Sequence, residues 1–477
     1  MSTRNWQSDF LASPDPEQTF IEHLEAFAER SERGEGVWRP GEPLRLLLAG
    51  YSGAGNVGTE MRTGEILRQL RHLLGETQVE FTSLSMSSTL PEDVLPNVSC
   101  LRLAGGYIPE VVLTATRAHH GTIACEGSMF KSTFANVLSA IMAGTLGMAS
   151  RAGKLSVGYG AEVARMDPML ESFVRQQAHE ALIVCRNEAS YQAAQALDLR
   201  ASCGTDTAWT FQAAPPARAE ALLRAKGWNG SDRLLIVCPM NPFWWPVRPS
   251  PKMAIELQRN GSHRDRHFAS AFFHAASPEI TRKYQTYISQ LAMAVRELCQ
   301  TMQAFPVLVA MDRVDRRACQ DLGTALQSSI ATIIGCELPV ADVMSVLRRS
   351  DLLVSSRFHA LVGAMPAGVP SIGIAMDERI RNLLSGSGQA DRLIAADDPD
   401  LGQRVCDIAK HLDRSQVETT SRATVGTAIK ALGHMGQAFA EEVRRVLPDF
   451  PLPDRPAAWQ AHVAAIPADV QVFLAKG

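Results

Sequence analysis

The sequence predicts an α/β protein with two doubly wound, Rossmann-like domains, and three observations carry that expectation. At 477 residues the chain exceeds what one ordinary hydrophobic core organises. Short, uninterrupted apolar runs recur along it, as in strands of a parallel sheet covered on both faces. These runs alternate with segments whose apolar residues fall at helical spacing, which implies right-handed βαβ units.

In chain order, residues 1–42 form an N-terminal arm with one amphipathic helix expected over 16–33 and a glycine- and proline-bearing link after it. The first domain, residues 43–215, opens with the apolar run 44–50 and a glycine-rich loop entering a long helix. Further strands are expected over 79–85, 99–103, up to Cys125, over 154–160 and over 181–185, and the domain closes on a loop holding Asp206. The second domain, residues 216–414, repeats the alternation with strands over 233–239, 305–311, 331–334, 352–354 and 370–376. Residues 415–477 supply a long helix, placed to cross back to the first domain, and a proline-rich tail.

Composition narrows the function classes. With 46% apolar and 20% charged residues and a net charge of −3, the chain reads as a soluble globular protein without the basic surface that nucleic acid or an acidic membrane would need. Nine scattered cysteines without a C-x-x-C pair point to reduced thiols in the cytoplasm, not to disulfides or a zinc site. The polar opening MSTRNWQSDF is not a secretory signal. The most apolar stretch, 134–149, is short for a membrane span and holds Asn136 and two glycines, so a buried helix is expected there.

The chemistry centres on residues 351–384. Two strand-to-helix junctions lie close together here and should neighbour each other at the carboxyl edge of a parallel sheet, where ligands of such sheets sit. Arg357 offers a planar fork for phosphate or carboxylate, His359 is the side chain best suited to give a proton near neutral pH, and Arg379 closes on the same anion from the second junction. Asp312 and Asp315, after the strand 305–311, read as helix caps. Gly53, Gly55 and Gly58 have the G-x-G-x-x-G spacing of a dinucleotide loop. The acidic residue that such a site needs at the end of the next strand stands at its start, as Glu80, so a nicotinamide-dependent oxidoreductase is the least supported reading. After the first strand of the second domain, Trp244 and Trp245 fit either a sugar face or packing between domains, while Arg248 and Lys252 fit an anion. Residues 257–277 carry His263, His267 and His274 at spacings unlike a metal-binding helix and read as an insertion or lid. No metal site is expected.

The motif Ser355-Ser356-Arg357-Phe358-His359-Ala360, followed by Gly368-Val369-Pro370 and by Asp377-Glu378-Arg379, resembles the core of the polysaccharide pyruvyl transferase family. Gly55-Asn56-Val57-Gly58, Arg186 with Ser190, and Gly204-Thr205-Asp206 support the resemblance, which covers roughly residues 45–390. It implies two Rossmann-like domains facing across a GT-B-like cleft. It also implies transfer of the enolpyruvyl unit of phosphoenolpyruvate onto a sugar-containing acceptor, forming a cyclic ketal with loss of phosphate. His359 would be the general acid, and Arg357 with Arg379 would hold donor charge. Ser356, Asp377, Asn56, Gly55, Glu126, Arg186, Asp206, Trp244 and Arg248 would complete the substrate sites, with no cofactor beyond the donor substrate. Three positions depart from the family pattern: Thr59 and Asn187 stand where acids are usual, and Cys125-Glu126-Gly127 stands for a glycine triplet. All three fall in the first domain, which implies an altered acceptor with a retained donor site. A nucleotide-sugar-dependent GT-B glycosyltransferase and a binding protein that keeps the fold without catalysis are the alternatives.

Overall fold

The computed structural model describes residues 6–85, 87, 89–103 and 108–476. The expected apolar runs form strands, and every pairing within the two large sheets is parallel. The first sheet contains β1 (Leu44–Ala49), β2 (Val79–Ser85), β3 (Val98–Arg102), β4 (Gly121–Ala124), β5 (Leu155–Ala161), β6 (Leu182–Cys185) and β7 (Arg200–Cys203). Its order is β3-β2-β1-β4-β5-β6-β7.

The second unit begins with β8 (Arg233–Cys238) and continues into a small antiparallel sheet of β9 (Val247–Pro249), β10 (His267–Ala269) and β11 (Phe272–His274). It then completes its large sheet with β12 (Ala304–Ala310), β13 (Ala331–Ile334), β14 (Leu352–Ser355), β15 (Ser371–Ala375) and β16 (Leu393–Ala395), in the order β13-β12-β8-β14-β15-β16. Both large sheets reverse their winding at one point, between β1 and β4 in the first and between β8 and β14 in the second. Ligand crevices of open α/β sheets form outside the strand ends at such points.

The two units share one apolar core. The helix Val57–Leu74 is buried along most of its length and packs against the helices Val340–Arg348 and Phe358–Ala364. Met61 and Leu70 from the first unit belong to the same cluster as Met344 and Leu361 from the second. The helix Arg414–Val446 crosses back as expected, packing on β5, β7 and the helix Val57–Leu74.

The N-terminal arm differs from the expected single helix. It forms two, Trp6–Ala12 and Pro16–Ala28, the second started by Asp15, whose side chain accepts from the Gln18 amide. The chain then turns at Gly34 and Gly36, both at positive φ. The segment 257–277 contributes β10 and β11 to the small antiparallel sheet, which is docked on the first unit through its other strand, β9. The Val247 amide donates to the Phe134 carbonyl at 2.8 Å, and Arg248 pairs with Glu17 of the arm at 3.3 Å.

Candidate functional site

The junction after β14 is shaped by Ser355. Its hydroxyl accepts from the Arg357 amide and donates to the Arg357 carbonyl, both at 2.9 Å, turning the strand end into the helix Phe358–Ala364. Ser356 is buried, with its hydroxyl 2.8 Å from that of Tyr287, a contact that braces the turn. The helix has only seven residues, which leaves positive charge at this edge to side chains and not to a long helix dipole.

Arg357 supplies part of that charge. Its Nε donates to Asp315 at 2.8 Å, one Nη donates to the same carboxylate, and Asp312 lies 3.8 Å away. Burial works to lower the arginine, but the two aspartates more than offset it and hold it raised. The two acids also form the expected capping box at the end of β12. They therefore both cap and fix the guanidinium.

His359 is two residues further on. Its Nε2 lies 3.5 Å from Asp206 Oδ2, on the loop after β7. The same oxygen is 3.6 Å from Arg62 and 3.5 Å from Arg186, so three groups share it electrostatically at more than ordinary hydrogen-bond length. Burial alone would raise the Asp206 carboxyl; His359, Arg62 and Arg186 hold it well below the usual carboxylate range. Arg186 also pairs with Glu162, and Arg62 donates to the Tyr159 and Gly160 carbonyls at 2.5 and 2.7 Å. Asp206 and Arg186, expected to touch substrate, are buried, pair with each other and do not line the cavity described below.

The glycine loop is also not a phosphate cradle. Asn56 caps the helix Val57–Leu74 by accepting from the Thr59 amide at 2.9 Å, and its Nδ2 donates to Asp312 Oδ2 at 2.6 Å. The Val57 amide donates to the Met311 carbonyl at 2.9 Å, and the Arg313 amide donates to the Gly55 carbonyl at 3.2 Å. The amides that a dinucleotide would need are thus partly used in joining the two units. Gly58 is required for a different reason, because a Cβ placed there would lie 2.3 Å from His359 Nδ1.

A second charged clasp lies after β15. Asp377 accepts from Arg379 Nε at 2.8 Å and from the buried Lys131 at 3.1 Å, and Lys131 also pairs with Glu378. Burial would raise Asp377, but Arg379 and Lys131 hold it below its usual range. Both cations lie over the Phe134 ring, Lys131 at 5.1 Å and Arg379 at 4.3 Å. Asp377 is therefore an inter-unit clasp that positions Arg379.

Between these groups lies a cavity of about 130 Å³. Its charged and polar lining includes Arg357, Arg379, Asp312, Asn56, Thr59 and Glu126. Glu126 accepts from Thr59 Oγ1 at 3.1 Å and from the Gly127 amide at 2.9 Å. Most of its remaining lining is apolar. Trp245 lines it, but Trp244 does not: its ring stacks on His274, with centroids 3.8 Å apart. Arg248 points away from the cavity to Glu17 because β9 presents alternate residues to opposite faces, and Val247 takes the inward position.

Lys131, Arg62 and Glu162 were not singled out from the sequence. Arg62 falls within a helical pattern where an arginine normally marks the solvent face. Lys131 and Glu162 stand in loops whose partners are 246 and 24 residues away, a relation no local pattern carries. Among the described residues no group of three or more His, Cys, Asp or Glu side chains is placed to hold a metal ion, and no helix is long and apolar enough to cross a membrane.

The sequence profile of the family described as polysaccharide pyruvyl transferase matches residues 115–378. No curated protein matches the chain. Among solved structures, the Staphylococcus aureus protein titled "MnaA-UDP co-structure" is similar at a TM-score of 0.54 and 11% identity, covering 86% of this chain and 99% of that one. The UDP-GlcNAc 2-epimerase from Neisseria meningitidis, bound to UDP-GlcNAc, is similar at 0.50 and 8% identity, covering 85% and 100%. At these identities the likeness shows the shared two-domain, GT-B-like fold.

Proposed function

The chain belongs to the polysaccharide pyruvyl transferase family, and from that premise we propose that it transfers the enolpyruvyl unit of phosphoenolpyruvate to a sugar-containing acceptor, closing a cyclic ketal with release of phosphate. The observation that carries this reading is that Arg357 and Arg379 line one cavity, while His359, two residues from Arg357, is not among the lining residues and faces Asp206. Two guanidinium groups suit the phosphate and carboxylate of the donor.

In the proposed reaction His359 gives its proton to the methylene carbon of the donor, leaving an oxocarbenium-like centre at the carbon that bears the phosphate ester oxygen. One acceptor hydroxyl adds there and releases its proton. The second hydroxyl then replaces phosphate at the same carbon, and its proton balances the departing dianion. The net change is donor plus diol to ketal plus phosphate, so no redox partner is needed. Asp206 would orient the imidazole, while Arg357 and Arg379 would stabilise the charge gathering on the leaving phosphate. The free state of all nine cysteines supports a cytoplasmic setting.

The test is phosphate release from phosphoenolpyruvate in the presence of a panel of glycosides carrying vicinal or 4,6-placed hydroxyls, with the ketal methyl followed by NMR. Acceptor-dependent release with a new methyl signal is expected. Hydrolysis of a nucleotide-sugar, with no reaction of phosphoenolpyruvate, would replace this reading with the glycosyltransferase one. Binding of neither donor would favour a non-catalytic role.

A further inference from the structure

The charge of this chain is unevenly placed. Residues 248–267 hold five Lys or Arg side chains, at 248, 252, 259, 264 and 266, against two acids, Glu256 and Asp265. The segment therefore carries +3 at neutral pH, while the rest of the chain carries −6. The overall −3, which by itself argues against an acidic surface as partner, does not describe this face.

The segment is built around the helix Pro251–Asn260, which follows β9 and buries only its first residue, Pro251. Ser250 starts the helix by accepting from the Met253 amide at 3.4 Å, and Gly261 ends it at positive φ. Met253, Ala254 and Leu257 are half-buried, whereas Lys252, Ile255 and Arg259 are exposed. The exposed three recur at i, i+3 and i+7, so they share the outer face. Ile255 keeps 46% of its surface exposed, as one of four large apolar side chains in that state among the described residues. A single exposed aliphatic residue is ordinary. What sets Ile255 apart is the charge around it.

Those cations are free. Arg248 pairs with Glu17, and Arg266 donates to the His274 carbonyl at 3.2 Å. Among the described residues, Lys252, Arg259 and Arg264 form no ion pair and no side-chain hydrogen bond. Arg264 folds back on the helix end, its Nη2 3.6 Å from where a Cβ on Gly261 would lie. The acids do not neutralise them: Glu256 is turned to His263 at 2.7 Å, which leaves Asp265 as the one unpaired acid of the segment. Lys252, expected to fit an anion beside the tryptophans, does not line the cavity and stands on this outer face.

Unpaired cations around one exposed aliphatic side chain match the boundary of an anionic bilayer. Lipid phosphates meet the cations, the Lys and Arg stems lie along the surface, and Ile255 reaches the acyl boundary. Nucleic acid would use the cations and offer Ile255 nothing. We infer that the protein docks on anionic lipid surfaces through residues 248–267, with Lys252, Arg259 and Arg264 on the headgroups and Ile255 beneath them. The attachment is peripheral, because this helix has 10 residues and no described helix is long and apolar enough to cross a membrane. With three cations and one aliphatic anchor it is also reversible and salt-sensitive. The inference does not depend on the pyruvyl-transfer reading, since binding alone tests it.

The experiment sediments the full chain with vesicles of phosphatidylcholine alone or with about 30% phosphatidylglycerol. Binding to the anionic vesicles should be at least about tenfold stronger and should be lost as salt rises to about 0.5 M. The triple variant Lys252→Gln, Arg259→Gln, Arg264→Gln should bind them no better than neutral vesicles, and Ile255→Ser alone should weaken binding about threefold. These four side chains are exposed, so the variants should melt with wild type, which reports that they are folded. Equal binding to the two vesicles, or anionic binding that the triple variant keeps, overturns the inference. Duplex DNA bound as tightly as the anionic vesicles, with Ile255→Ser changing neither, would assign the patch to polyanions at large and reject the lipid surface.

Discussion

The carboxyl edges of the two sheets meet at one cleft but use their charged residues in opposite ways. Along the first edge, Arg62, Glu162, Arg186 and Asp206 are almost fully buried and paired with one another. Along the second, Arg357 and Arg379 are each anchored on one side by an aspartate and line the cavity on the other. The first edge holds His359 against Gly58 and adds Asn56, Thr59 and Glu126 to the cavity lining, and the second adds both arginines. A residue's position at a sheet edge therefore does not say which role it has. What distinguishes them is whether the side chain is enclosed behind the strand ends or lines the cavity.

The strongest way to sharpen this contrast is to remove the proton donor and leave both arginines. His359→Gln should lower turnover by about 10²–10⁴-fold while phosphoenolpyruvate affinity stays within about threefold. Isotope exchange into the ketal methyl group is the direct check. A smaller effect is expected from displacing the same ring through the first edge. Gly58→Ala puts a Cβ where His359 Nδ1 now packs, and a misplacement on the order of 1 Å is enough for roughly a 10²-fold loss. If turnover survives in Gly58→Ala, the close fit between loop and imidazole is not functional.

A third prediction concerns pH. Glu60, buried beside the glycine loop, accepts from the Gly53 amide at 2.7 Å, and burial pushes its carboxyl up to about 7. Between its ordinary value and about 7 the folded chain holds a proton that the unfolded chain releases, so this group's contribution to stability falls as pH rises through that window. Glu60→Gln keeps the amide's acceptor and removes the titration. Its melting temperature should exceed that of wild type at pH 8, by an amount reflecting up to ~3 kcal/mol, and converge with it near pH 5. A parallel pair of melting curves across that range would remove Glu60 from the account. The smallest effect belongs to Asn187→Asp. Asn187 caps the helix Glu188–Ala196 by accepting from the Ser190 amide at 2.8 Å, a task either residue performs, so turnover should stay within about twofold.

That last position shows what the sequence could and could not disclose. The parallel sheets were legible because runs such as 44–49 and 352–355 are apolar on both faces, and the switch points follow from strand order. The pairing of Arg357 with a cavity was legible from its place after β14. The meaning of the departures was not. Thr59 and Glu126 lie 67 residues apart, yet their side chains hydrogen-bond at 3.1 Å, so a carboxylate stands beside position 59 although that position carries none. Asp206 was read as a substrate contact for a similar reason: its distance from His359 is set by the packing of two units, not by any local spacing. Trp244 and Trp245 are adjacent in sequence and could not be told apart, but the docked insertion sends one to His274 and the other to the cavity.

The contrast between the two edges is tested most directly by calorimetric titration of phosphoenolpyruvate into wild type, Arg357→Ala and Asp206→Asn. Loss of the guanidinium should weaken binding by about ten- to hundredfold, whereas loss of the Asp206 charge should leave affinity nearly intact and depress only turnover. Equal binding to all three, or a loss confined to Asp206→Asn, would contradict the account.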